Sequence, residues 1–104
     1  MKIPKQFNIM GQTIYIEFNN EYCHKNECFG SYIASENKII LSDKHKPNNN
    51  RWVKYNKDIV DQVFLHELIH CIYWHLGRKD LFENEELIDS QSGLLLQVFK
   101  TSKY

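Results

Sequence analysis

His66, Glu67 and His70 are the residues of this chain best placed to do chemistry. They fall in the order H-E-x-x-H, within Leu65-His66-Glu67-Leu68-Ile69-His70. On a helix, side chains four apart stand one above the other on the same face. His66 and His70 can then offer two imidazole nitrogens to one metal ion, with Glu67 beside it. Two neutral histidines and a carboxylate that takes a proton from activated water form the arrangement for zinc-assisted amide hydrolysis. The pattern fixes only three positions, so its surroundings must carry the argument.

The surroundings predict a long helix over 58–76. Apolar residues recur at Ile59, Val63, Ile69, Ile72, Tyr73 and Leu76, with Phe64, Leu65 and Leu68 filling in. Asp58 or Asn56 caps its start, and Gly77 followed by Arg78 and Lys79 ends it. A helix apolar on most sides is a buried one. Two histidines and a glutamate in such a helix need partners, and one zinc ion satisfies all three.

Catalytic zinc usually takes three protein ligands and keeps one position open. His75 follows His70 by five residues, about 140° round the helix, and so points away. Asp80 lies in the connecting segment, close to the helix end. Glu85 and Glu86 open a second helix, expected from about Asn84 to Lys100, whose antiparallel packing brings its first turn toward the middle of the other. Their side chains point about 100° apart, so only one of them is expected to bind. Glu85 is favoured, with Glu86 as the alternative. Asp89, on the Glu85 face, is placed to accept an N–H from a ligand histidine.

Composition narrows the rest. With 104 residues the chain is expected to be one domain, 1–104, with a small core. Thirteen basic and thirteen acidic residues give zero formal net charge, which argues against a nucleic-acid or anionic-membrane binder. No apolar run approaches the ~20 residues of a transmembrane helix. Met1-Lys-Ile-Pro-Lys-Gln6 does not read as a signal peptide, and three cysteines are an odd number. Free thiols in a reducing cytoplasm are expected.

Upstream, Gln12–Phe18 alternates polar and apolar residues and reads as a strand. Residues 19–30 read as a loop, and 31–42 as a hairpin turning at Glu36-Asn37. Residues 44–50 read as a linker, with a short helix around 51–55 and a frayed tail at 101–104. The fold class expected is α+β: a small antiparallel three-stranded sheet packed against the H-E-x-x-H helix and a second, C-terminal helix.

A hairpin, then Leu65-His-Glu-Leu-Ile-His70, then Asn84-Glu-Glu-Leu-Ile-Asp89, resembles the compact zincin-like metallopeptidases. The pattern is similar to ImmA/IrrE-type and SprT-like proteins, which are common in phages and mobile elements, and Asn84-Glu85…Asp89 resembles the gluzincin motif. The resemblance covers about residues 62–99, with a looser match at 31–42. It implies one catalytic zinc on His66, His70 and Glu85, Glu67 as general base, and a protein or peptide substrate. Gln91 and Ser92 depart from it, standing where such helices carry apolar or small residues.

Other side chains are candidates for lesser roles. Tyr55, Tyr73, His75 and Arg78 are of types that can stabilise an oxyanion. Cys23-His24…Cys28 has spacing seen in zinc sites but lacks a fourth ligand, so loop cysteines are expected. Cys71 is expected in the core, and Trp52, Tyr55, Tyr73 and Trp74 are expected to pack around the long helix. The rival readings are a non-catalytic zinc-binding interaction module and a metal-free interaction protein.

Overall fold

A computed structural model describes all residues, 1–104. The first element is a strand outside the expected set. β1 (Gln6–Ile9) turns at Met10 and Gly11, both at positive φ (47° and 79°), into β2 (Gln12–Phe18). Two left-handed residues in a two-residue loop match the twist of the strands they join. The segment expected to be a loop holds a short helix, α1 (Asn20–Lys25), whose N-cap Asn19 accepts from the Tyr22 N–H. Glu27, at φ 52°, lets the Cys28 N–H donate back to the Cys23 carbonyl at 3.0 Å and closes that helix.

The expected hairpin follows as β3 (Gly30–Ile33) and β4 (Lys38–Leu41), antiparallel and joined by a 3-10 turn that ends on Asn37 at φ 51°. The sheet as a whole corrects the expectation of three antiparallel strands. It has four, in the order β1-β2-β4-β3, and the central pair β2/β4 is parallel. α1 carries the chain across the sheet to the far edge, so β3 is laid down there before β4 returns beside β2. The hairpin reading fixed the direction of neighbours in sequence, whereas the parallel pair joins strands separated by a crossover.

Residues 44–54 are also corrected. They form a two-stranded ribbon, β5 (Lys44–His45) against β6 (Val53–Lys54), in place of a linker and a short helix. Pro47 and the left-handed Asn48 and Asn49 reverse the chain between them.

α2 (Lys57–His75) is the expected long helix, with Asn56 accepting from the Asp58 N–H and Gly77 stopping it at φ 68°. Only its middle is buried; Ile59, Ile72, Trp74 and Leu76 are exposed, so Trp74 is not the core residue expected. Phe64, Leu65 and Cys71 pack with Ile14, Ile39, Leu41 and Leu96 in the core. A turn of helix that the sequence did not announce, α3 (Lys79–Phe82), leads to α4 (Glu85–Thr101), capped by Asn84. α4 packs against α2 through the stripe Ile88, Ser92 and Leu96, all buried. Ser92 is wholly buried and donates to the Asp89 carbonyl, and Gln91 accepts from the Tyr73 hydroxyl at 2.7 Å. The two departures from the resemblance are therefore absorbed into the helix pair. No helix is long and apolar enough to cross a membrane.

β3 comes so close to α2 that Gly30 has no room for a side chain. A Cβ there would lie 2.7 Å from Val63 Cγ1 and 2.9 Å from the Ile40 carbonyl oxygen. Gly30→Ala is expected to cost about 1–3 kcal/mol in urea unfolding, through overpacking at this contact. An unchanged midpoint would show that the contact yields.

Candidate metal centre

One turn of α2 sets the His66 and His70 rings 4.9 Å apart, with their Nε2 atoms separated by 3.2 Å. Two ligands at tetrahedral angles on an ion with bonds of ~2.0–2.1 Å stand about 3.3 Å apart, so the pair is already at ligand spacing. Asn84 caps α4 so that its first residue, Glu85, faces them. Glu85 Oε2 lies 2.9 Å from His66 Nε2, and Oε1 lies 3.0 Å from His70 Nε2. These three residues form the one group of three or more His, Cys, Asp or Glu side chains close enough to share an ion.

The other candidates separate cleanly. Glu86, next along α4, is exposed and outside the group. Asp80 is held by Arg78 at 2.8 and 3.0 Å, which keeps its carboxyl below the usual carboxylate range. His75 turns back on its own helix, with Nδ1 at 2.8 Å from the Cys71 carbonyl. Cys23 is buried and Cys28 half-buried, both as free thiols, and with His24 they belong to no such group. Burial raises the Cys23 thiol to about 11, which keeps it protonated at neutral pH.

Asp89, one turn beyond Glu85, places Oδ1 2.7 Å from His66 Nδ1. A neutral His66 that donates Nδ1–H to Asp89 keeps a lone pair on Nε2. That lone pair faces the Glu85 carboxylate at 2.9 Å and the His70 Nε2 at 3.2 Å. Acceptors converging so closely repel one another unless a proton or a cation sits between them. The donor set, two imidazoles and a carboxylate, is one that zinc takes. His70 meets the edge of Phe82 at 5.0 Å, and its buried Nδ1 has no hydrogen-bond partner. Burial lowers the His70 pKa below its usual value, against the opposing pull of Glu85, which favours the neutral form that a ligand needs.

Glu67 is 8% exposed, and its Oε1 accepts the backbone N–H of Tyr32 at 2.8 Å. Its Oε2 is 3.9 Å from His66 Nε2. Burial raises its carboxyl from 4.5 to about 7, with His66 and the Tyr32 amide pulling the other way. The Tyr32 amide and the Phe82 ring are parts of the site that the sequence did not announce. A backbone amide has no residue-type signature, and α3 is too short to show a period.

His66, Glu67, His70 and Glu85 open onto a cavity of about 600 Å³ walled by β3, α2 and Phe82. None of Tyr55, Tyr73, His75 and Arg78 lines it, so the structure brings no expected oxyanion donor to the site. No family model, curated protein or solved structure matches the chain.

A buried acid with a raised pKa holds its proton more tightly in the folded than in the unfolded chain. Its contribution to stability is full below 4.5 and is lost as pH rises through about 7. In chelator, Glu67→Gln is therefore expected to gain stability relative to the native chain between pH 4.5 and 8. Parallel melting curves across that range would show no role for Glu67 desolvation.

Proposed function

We propose that this chain is a zinc-dependent metallopeptidase of the compact zincin-like type, with one zinc on His66, His70 and Glu85. The observation that carries the reading is the convergence of two Nε2 atoms and the Glu85 carboxylate within 2.9–3.2 Å, while Asp89 holds the far nitrogen of His66. A bound zinc ion supplies Lewis-acid polarisation of a carbonyl and a water more acidic than bulk water. Glu67 accepts a proton from the attacking water and delivers it to the leaving amine as the C–N bond breaks. A carboxyl that titrates near neutrality suits both halves of that exchange.

The substrate is a protein or peptide in extended form. β3 pairs on one side only, with β4, and its open edge borders the cavity. An added strand on that edge lays a peptide bond across the H-E-x-x-H face. A second reading, a zincin-fold module that binds zinc and a partner protein without cleaving it, is favoured by the lack of any expected oxyanion donor along the cavity.

Native mass spectrometry of the purified protein is expected to give one zinc, and none for His70→Ala. No metal in either, with the fold intact, would remove the zinc reading. Asp89→Asn is expected to weaken zinc about 10- to 100-fold in a chelator competition, through loss of the His66 orienting bond. Glu67→Gln is expected to keep zinc and fold and to lose cleavage of a mixed peptide library. Cleavage by neither form, with zinc bound to both, would select the non-catalytic module.

A further inference from the structure

Two cavities meet at Cys28 and Phe29, which line both. The first holds the candidate metal centre. The second, about 510 Å³, lies beyond Phe29 and is bordered by Lys25, Lys44, Lys46, His24 and His45, with Glu27 as its one acid. The chain as a whole is neutral, so this concentration of positive charge is local.

The charge is also uncompensated. Lys25, Lys44 and Lys46 make no ion pair; Lys2, Lys5, Arg51, Lys54 and Lys103 make none either, but the first three are gathered at one cavity. The ribbon register sets Lys44 directly opposite Lys54, which lines a neighbouring cavity beside Asp43.

The aromatic rings here are already partnered. Lys46 sits 4.6 Å from the centre of the Trp52 ring, and His24 meets Trp52 at 5.9 Å. His45 stacks on Tyr55 at 4.4 Å, and Phe29 leans on it at 5.4 Å. Single-stranded nucleic acid wants free ring faces for its bases, so the cluster suits a carboxylate-bearing chain better.

We infer that the second cavity binds an acidic peptide segment, continuous with the residues that occupy the first cavity. The inference rests on the peptide-cleaving reading for that continuity, since the shared wall at Cys28 and Phe29 leads directly to the open edge of β3. Substrates would then carry Asp or Glu a few residues to one side of the cleaved bond, held by Lys44 and Lys46.

The probe is hexaglutamate blocked at both ends, titrated into ¹⁵N-labelled Glu67→Gln protein loaded with zinc. Shifts are expected at residues 44–46 and 52–55, weakening as salt rises. Adding Lys44→Glu and Lys46→Glu is expected to lower the affinity about tenfold. Lys44→Met with Lys46→Met keeps the side-chain stems, and a loss of affinity there too separates charge from misfolding. No shifts with hexaglutamate, or tighter binding of decauridylate, would overturn the inference. Binding of hexaglutamate by a protein that cleaves no library peptide would leave it standing and sink the peptidase reading. Cleavage with no preference for acidic residues and no binding would do the reverse.

Discussion

The close packing of α4 on α2 is the constraint on which the site depends. The histidines lie one turn apart on α2 whatever the rest of the chain does, because helical geometry puts them there. Glu85 reaches them only because α4 lies close enough for its first turn to meet the middle of α2. A small residue makes that approach possible: Ser92 is wholly buried at the contact. Lys100 pairs with Asp58 at the other end, fixing the antiparallel alignment along its length. α3 and its cap carry the chain from one helix to the next and lay Phe82 against His70.

The two long helices, α2 and α4, were the legible part of this fold, whereas the short α1 and α3 were not. H-E-x-x-H on a periodic apolar stretch, an asparagine before each of the two long helices and a glycine after α2 are local signals that physics enforces locally. Glu85 shares its helix face with Ile88 and Ser92, which are buried against α2, while Glu86 is exposed. The sheet was less legible. Phe7 and Ile9 alternate with polar residues before Met10-Gly11, a period-2 signal for β1 that four residues make weak. The parallel pairing of β2 with β4 had none, since it depends on where α1 carries the chain. The ribbon of 44–54 is two residues wide on each side, too short for any period to appear.

Local and tertiary demands conflict most around Glu67. A glutamate is a good helix former, yet here it is desolvated, beside His66 and within the field of Glu85 and Asp89. A chain selected for stability alone would hold an apolar residue at this position, as at the neighbouring Leu65 and Leu68. The desolvated polar groups are concentrated in one short stretch of α2, while the core around Ile14, Ile39 and Leu41 is apolar. That separation lets the sheet and helix ends hold the fold while the site carries groups that oppose it.

The hydrogen bond from the Tyr32 amide to Glu67 has one further consequence. An amide has a single proton, and β3 is an edge strand. A chain that adds to this edge at Tyr32 and the carboxylate of Glu67 are rivals for that proton. While the edge is bare, it is capped by a helix side chain, as exposed edges commonly are in proteins that resist sticking to one another. When the edge is filled at that residue, Glu67 is released. One proton thus couples edge protection to the freedom of the Glu67 carboxylate.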